Sequence, residues 1–115
     1  MIDRILPGLD LVTEQMIPDG NFPTAEAPNP ESAVAFELAI KYALKNDSDI
    51  ILATDPDADR LGIMVKHNGE YEYINGNEMA VILLNYILES KSFDNGVVYK
   101  SVVTGSLGTR VALAH

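Results

Sequence analysis

The 115-residue chain contains no cysteine. A disulfide framework and a thiolate metal site are therefore both excluded, which is compatible with a reducing compartment. Basic residues are also few. The chain has 8 Lys and Arg but 17 Asp and Glu, so its formal net charge is -9. Nucleic-acid backbones are bound mainly by Lys and Arg, so this balance argues against a nucleic-acid partner and favours cations.

Long apolar runs are missing as well. The longest, such as Met79 to Leu84, are far too short to cross a bilayer, so we expect no membrane partner. The first residues, Met1 to Leu6, lack the charged-then-apolar layout of a secretory signal, and we expect a cytoplasmic location. The hydrophobic content of 47% nevertheless predicts a folded globule, and we expect residues 1–115 to form a single domain.

The most informative segment carries three carboxylates at alternate positions, Asp55, Asp57 and Asp59. Alternate positions of an extended or looped segment lie on one side of the backbone, and hard cations such as Mg²⁺ prefer oxygen ligands. The segment follows the predicted strand 49–53 and leads into the predicted strand 61–65. Ligands tend to bind at the carboxyl ends of strands in α/β sheets, so the pattern predicts a divalent-cation site.

Other uses of these carboxylates can be weighed from the sequence. A calcium-binding EF-hand loop that begins at Asp55 would need Gly and Glu where this chain has Arg60 and Lys66, so that interpretation is excluded. A phosphatase with an Asp nucleophile is an alternative that Asp55 satisfies by position. Against it, Pro56 is unusual in such a loop, and no downstream Lys and acidic partners are evident. An ordinary acidic surface is the remaining alternative.

Alternating strand and helix patterns predict a layered α/β domain with one antiparallel hairpin strand in an otherwise mainly parallel sheet. Asn29 is predicted to cap the first helix, with Glu31 in its first turn against the helix dipole. The predicted strands cover residues 9–13, 49–53, 61–65, 71–74 and 97–103, and the predicted helices cover 30–45, 77–90 and a segment that starts at about 104.

Two further segments affect the domain organisation. Residues 17–30 carry four prolines and must be a loop, which either contacts a neighbouring domain or crosses the surface. Residues 1–6 look like the tail of a helix, and the helix from about 104 is only begun when the sequence reaches His115. We therefore expect a piece cut from a longer protein, in which about 104–115 start the next domain.

Several of these motifs occur together in one known family. The chain resembles the second domain of the α-D-phosphohexomutases over about residues 11–114, and most closely their phosphoglucomutase and phosphopentomutase branch. The motifs that carry the resemblance are Pro18-Asp19-Gly20-Asn21-Phe22-Pro23, Pro28-Asn29-Pro30-Glu31, Asp55-Pro56-Asp57-Ala58-Asp59-Arg60-Leu61-Gly62 and Asn75-Gly76-Asn77-Glu78.

The resemblance implies a three-layer α/β/α domain of a phosphosugar mutase. Such an enzyme moves a phosphoryl group between the C1 and C6 oxygens of a hexose, or C1 and C5 of a pentose, through a phosphoserine and a bisphosphate intermediate. By resemblance, Asp55, Asp57 and Asp59 bind Mg²⁺ together with a phosphoserine oxygen. Arg60 lies beside the phosphoryl site, and the partners are a phosphosugar and the other domains of the same enzyme.

The family's phosphoserine loop, of the type Thr-Ala-Ser-His-Asn-Pro, does not occur in this chain. Its sugar-binding and phosphate-binding loops are absent too, so we expect the isolated chain to be inactive and the sugar preference to depend on other domains. The alternative is a non-catalytic cation-binding or interaction domain.

The residues near the end of the chain have more general interpretations. Ser106 is predicted to cap a helix, and Gly105 and Gly108 either cradle a phosphate or form a tight turn. The roles of Lys100 and Arg110 stay open.

Overall fold

The computed structural model describes residues 8–115, so the predicted helix tail at 1–6 lies outside the described residues. The chain divides into two compact units, Met1–Tyr73 and Ile74–His115. Its helices and strands make it an α/β protein, as predicted. Within the described part, no helix combines the length and apolarity that a membrane span requires.

One helix and a small sheet organise the first unit. These elements are helix α1 (Glu37–Asn46) and strands β1 (Ile50–Thr54), β2 (Leu61–His67) and β3 (Glu70–Ile74). The strands lie in the order β1-β2-β3, and β1 pairs antiparallel with β2, with Ile51 opposite Met64.

The prediction of a mainly parallel sheet is wrong, because the three strands form an antiparallel sheet. Only residues 55–60 join β1 to β2, whereas a parallel crossover needs about a dozen residues or more. The hairpin of β2 and β3 is confirmed. Asn68 (φ 51°) and Gly69 (φ 87°) supply the two positive φ angles of a type I′ turn. The three-layer arrangement stays a prediction.

Helix α1 starts at Glu37, later than predicted, after a 3₁₀ turn at Ala33–Phe36. The cause lies in the preceding turn. The side chain of Asn29 accepts a hydrogen bond from the backbone N–H two residues later, at 3.0 Å. The Pro30 carbonyl accepts from the Tyr73 hydroxyl at 3.1 Å, and the backbone at Ser32 is extended (φ -106°, ψ 126°), so residues 30–32 do not continue into the helix.

The core of the first unit is small and centres on Phe36, which is fully buried. Its ring meets the ring of Tyr73 edge-on, with centroids 5.8 Å apart. Within α1 the buried positions are Ala39 and Ala43, whereas Leu38 and Tyr42 are only partly buried. The buried hydrophobic side chains are Phe36, Ala39, Ala43, Ile51 and Met64.

The second unit contains two helices, α2 (Gly76–Ser90) and α3 (Leu107–Ala114). Helix α2 confirms its prediction almost to the residue, and a reciprocal capping box between Asn75 and Glu78 starts it. The Asn77 side chain accepts a hydrogen bond at 2.8 Å from the backbone N–H two residues before α3. This bond ties the beginnings of the two helices together.

Two predicted strands do not form. Residues 97–103 pair with no strand in the described part of the chain, and Val102 is 99% exposed. Their β-branched side chains favour extended backbone, but a strand also needs a partner edge. Residues 9–13 lead into a 3₁₀ turn at Thr13–Gln15 instead of a strand. Apolar side chains of α2 are also exposed, since Ile82 is 51% exposed.

Gly62 on β2 is required by a close approach of the backbone at Pro30. A Cβ atom at position 62 would lie 2.2 Å from the Pro30 carbonyl oxygen and 2.8 Å from Cζ of Phe36. Because the first of these atoms belongs to the backbone, it cannot simply rotate away. The glycine thus lets the turn at Pro30 rest directly on the strand that follows residues 55–60.

We expect Gly62→Ala to destabilise the first unit by on the order of 1–3 kcal/mol, because the added methyl group overpacks this contact. Gly20→Ala is the matched control, since a Cβ at that position meets nothing within 4 Å. Urea unfolding of both variants measures the difference. Equal stability of the two variants would show that the Pro30 turn does not depend on Gly62.

Candidate metal centre

The acidic loop, residues 55–60, brings its three carboxylates together. It begins directly after β1, and the Ala58 N–H donates to the Asp55 carbonyl at 3.0 Å, with Ala58 in the left-handed region at φ 57°. One carboxylate oxygen from each of Asp55, Asp57 and Asp59 lies within 4.8 Å of the others. The convergence that the alternate spacing predicts is therefore present.

The three carboxylates differ in exposure. Asp57 and Asp59 are exposed, whereas Asp55 is only 4% exposed and is the one buried charged residue in the described part of the chain. A buried charge is strongly destabilising unless it is paired and hydrogen-bonded. Arg60 provides both the opposite charge and the hydrogen bonds. Its backbone N–H donates to Asp55 Oδ1 at 3.2 Å, and its Nε donates to Asp55 Oδ2 at 2.8 Å.

The Arg60 side chain also contacts residues that the sequence analysis did not assign to a site. Its Nη1 donates to Asn29 Oδ1 at 3.2 Å and lies 3.6 Å from Glu31 Oε1, while Nε lies 3.7 Å from Asp59. Glu31 is thus an ion-pair partner of Arg60 and not a residue of a helical first turn. No spacing rule links positions 29 and 60, so the pattern of residues could not reveal this pairing.

The proline-rich loop borders the same region. Together with the end of β1 and the start of the acidic loop, it lines an open cleft of about 720 Å³. Residues that line the cleft include Phe22, Pro28, Pro30, Thr54, Asp55 and Pro56. The loop that the sequence left without a role therefore lies against the buried Asp of the acidic loop.

The remaining candidates from the sequence make contacts within the second unit. Lys100 donates through Nζ to the Thr104 carbonyl at 3.0 Å. The Gly105 N–H is already bonded to Asn77, which occupies one of the donors that a phosphate cradle would need. Ser106 occupies the N-cap position of α3, but its side chain makes no capping hydrogen bond.

The donor set suits a hard divalent cation. Three carboxylates offer oxygen ligands only, as Mg²⁺ and Ca²⁺ prefer. Two oxygens bound to one Mg²⁺ at about 2.1 Å lie at most about 4.2 Å apart. The observed separations are within 4.8 Å, so small rotations of the exposed Asp57 and Asp59 side chains would close the site. Each oxygen of Asp55 has a second lone pair beyond the one used by Arg60.

The pKa values of Asp55 and Asp59 move in opposite directions from their ordinary value. Burial raises the pKa of the Asp55 carboxyl, but the hydrogen bonds from Arg60 outweigh it and hold the pKa at about 2. The Asp55 carboxylate raises the pKa of Asp59 by sharing a proton with it and by charge repulsion. As the pH falls, Asp59 is therefore the first of the pair to be protonated.

This order gives a pH prediction. The folded-state pKa of Asp55 lies below its ordinary value of 3.8, so ionised Asp55 stabilises the fold above that pH and the contribution disappears as the pH falls towards 2. Carboxyl ¹³C NMR should show the lower apparent pKa at Asp55 and the higher at Asp59. Arg60→Gln should raise the pKa of Asp55, while Arg110→Gln, an equal charge change in the second unit, should not. The reverse order of titration would contradict this picture.

Comparison with known proteins shows the family to which the chain belongs. The family model described as phosphoglucomutase/phosphomannomutase, alpha/beta/alpha domain II, matches residues 1–69, which is more than half of the chain. The chain is 45% identical over 83 residues to a phosphomannomutase of Mycoplasmoides pirum. The matched region covers 72% of this chain and 15% of that protein. None of the solved protein structures matches it.

Phosphoglucomutases of two staphylococci are similar over nearly the whole chain. Those of Staphylococcus epidermidis and Staphylococcus saprophyticus are each 39% identical, over 108 and 120 residues. These matches cover 92% and 97% of this chain but only 20% and 22% of the two enzymes. The chain thus spans about a fifth of the length of these relatives, and it belongs to the phosphoglucomutase/phosphomannomutase family as its α/β/α domain II.

Proposed function

We propose that this chain is the metal-binding domain of a phosphosugar mutase that interconverts sugar 1-phosphates and 6-phosphates, or pentose 1- and 5-phosphates. One observation carries the proposal. In a chain of this family, three carboxylates converge to within 4.8 Å directly after a strand, beside an arginine. Like charges this close repel one another, and a cation bound among them would relieve that repulsion.

Asp55, Asp57 and Asp59 are proposed to hold Mg²⁺. The bound ion would supply positive charge that neutralises the phosphoryl group in transfer. The protein contributes the orientation of the ligands. Asp55 is held by its two hydrogen bonds to Arg60, so one ligand is prearranged, and the exposed Asp57 and Asp59 complete the set on binding.

Arg60 is proposed to contact the phosphoryl group. Its side chain is 45% exposed although Nε contacts Asp55 and Asp59, and Nη1 contacts Asn29 and Glu31. A planar guanidinium held along one side can still present N–H groups to phosphoryl oxygens. The same residue would thereby link the orientation of a metal ligand to the binding of substrate.

The phosphoserine and the sugar-binding groups are proposed to come from other domains of the same enzyme. The characteristic serine loop is absent from this sequence, so we expect the 115-residue chain alone to be inactive. Glucose phosphate is the favoured substrate, with pentose and mannose phosphates next, because relatives that match nearly the whole chain are called phosphoglucomutases. A cytoplasmic location stays a prediction.

A coupled assay of the full-length enzyme tests this function on glucose 1-phosphate, ribose 1-phosphate and mannose 1-phosphate. We expect turnover of at least one, loss of activity on chelation, and recovery on addition of Mg²⁺. The 115-residue chain, assayed with a bisphosphate primer, should show none. Absence of activity on all three sugars would rule out the mutase assignment, and activity unaffected by chelation would rule out the metal role.

A further inference from the structure

The guanidinium of Arg60 is surrounded by four acceptors, of which one is neutral. Asp55, Asp59 and Glu31 contribute carboxylates, and Asn29 contributes an amide oxygen at 3.2 Å from Nη1. A fourth carboxylate at this position would repel an incoming anion. An amide adds a hydrogen-bond acceptor without a further negative charge. This suits the Arg60 guanidinium, which must be held in place and still attract a phosphate group.

Asn29 is itself held in place by the backbone. Its Oδ1 also accepts from the Glu31 N–H at 3.0 Å, so one amide oxygen joins the turn to the arginine. Between these two residues, Pro30 is fully buried, its carbonyl accepts from the Tyr73 hydroxyl, and its backbone rests on Gly62. The residues on either side of Pro30 are thereby placed over Arg60.

An exposed ion pair alone would not order this side chain. Long side chains lose considerable rotamer freedom in such pairs, which therefore contribute little to stability. Glu31 is 68% exposed on its side chain and lies 3.6 Å from Nη1, so its contribution is of this weak kind. The hydrogen bond from Nη1 to Asn29 has a defined direction and restricts the plane of the guanidinium.

We propose that Asn29, supported by Glu31, is a positioning residue that fixes the guanidinium of Arg60 for contact with a phosphoryl oxygen. The inference rests on the proposed function for the identity of the ligand, but the ordering of Arg60 can be measured without any ligand. It gives the Pro28-Asn29-Pro30-Glu31 segment a role in the site, in addition to its contacts with the sheet.

Nitrogen-exchange NMR of the 115-residue chain with ¹⁵N-labelled arginine measures how fast the Arg60 guanidinium rotates about its Nε–Cζ bond, because this rotation exchanges the positions of Nη1 and Nη2. We expect Asn29→Ala to speed this rotation about tenfold, the size of effect of one lost charge-assisted hydrogen bond. Asn29→Asp, which keeps the acceptor, should restore slow rotation. Arg110 is the internal reference, and a merely structural role of Asn29 would lower the unfolding midpoint and leave the rotation rate unchanged.

A second variant keeps the inference testable if Asn29→Ala does not fold. Glu31→Gln should speed rotation about threefold, a smaller effect because an exposed pair is weaker. Glu26→Gln removes the same charge from an exposed position of the same loop and should have no effect. Rotation that is unchanged in every folded variant of Asn29 and Glu31 would overturn the inference.

A titration with inorganic phosphate in the presence of Mg²⁺ tests whether the ordering of the Arg60 guanidinium strengthens phosphate binding. We expect about fivefold weaker binding in Asn29→Ala than in the unaltered chain, since a prearranged side chain loses less freedom on binding. Equal affinity in the two proteins would overturn the positioning role. If the unaltered chain bound no phosphate at all, the proposed phosphoryl contact would be wrong, and the rotation rates would still decide whether Asn29 orders Arg60.

Discussion

The ion pair between the buried carboxylate of Asp55 and the partly exposed Arg60 is the interaction on which the site depends. A carboxylate that is 4% exposed is tolerated only with hydrogen-bonding partners of opposite charge, and Arg60 offers both a backbone N–H and Nε. These two bonds join the first and last residues of the acidic loop. The loop must therefore close on itself, and this closure brings the exposed Asp57 and Asp59 to the side of Asp55.

A second constraint connects this pair to the rest of the first unit. Gly62 lies two positions beyond Arg60, and its missing side chain admits the Pro30 backbone. The turn at Pro30 then carries Asn29 to the guanidinium. The packing of Pro30 on Gly62 and the hydrogen bond from Arg60 to Asn29 are thus parts of one arrangement. A substitution that disturbs one of these contacts should therefore also alter the other.

The sequence predicted local features better than pairings between distant segments. The alternate Asp spacing, the Asn68-Gly69 turn and helix α2 follow from interactions over a few residues, and the structure contains all three. The direction of the sheet was mispredicted, although the length of residues 55–60 already excludes a parallel crossover.

Other features needed the tertiary structure. Residues 97–103 have strand composition but no strand to pair with in the described part of the chain, because propensity alone does not supply an edge. The pairing of Asn29 and Glu31 with Arg60 depends on Pro30 packing on Gly62, which no periodicity reveals. Packing contacts of this kind also explain why α1 starts later than its capping signals suggest.

The most direct test of the metal centre is a calorimetric titration of the 115-residue chain with Mg²⁺. Three carboxylates without the ligands of other domains leave an incomplete coordination shell, so we expect affinity on the order of millimolar. Asp57→Asn should weaken it further without unfolding the chain, whereas Asp10→Asn, an equal charge change at an exposed residue outside the cluster, should leave it nearly unchanged. Micromolar binding that is unaffected by Asp57→Asn would show that the ion binds elsewhere.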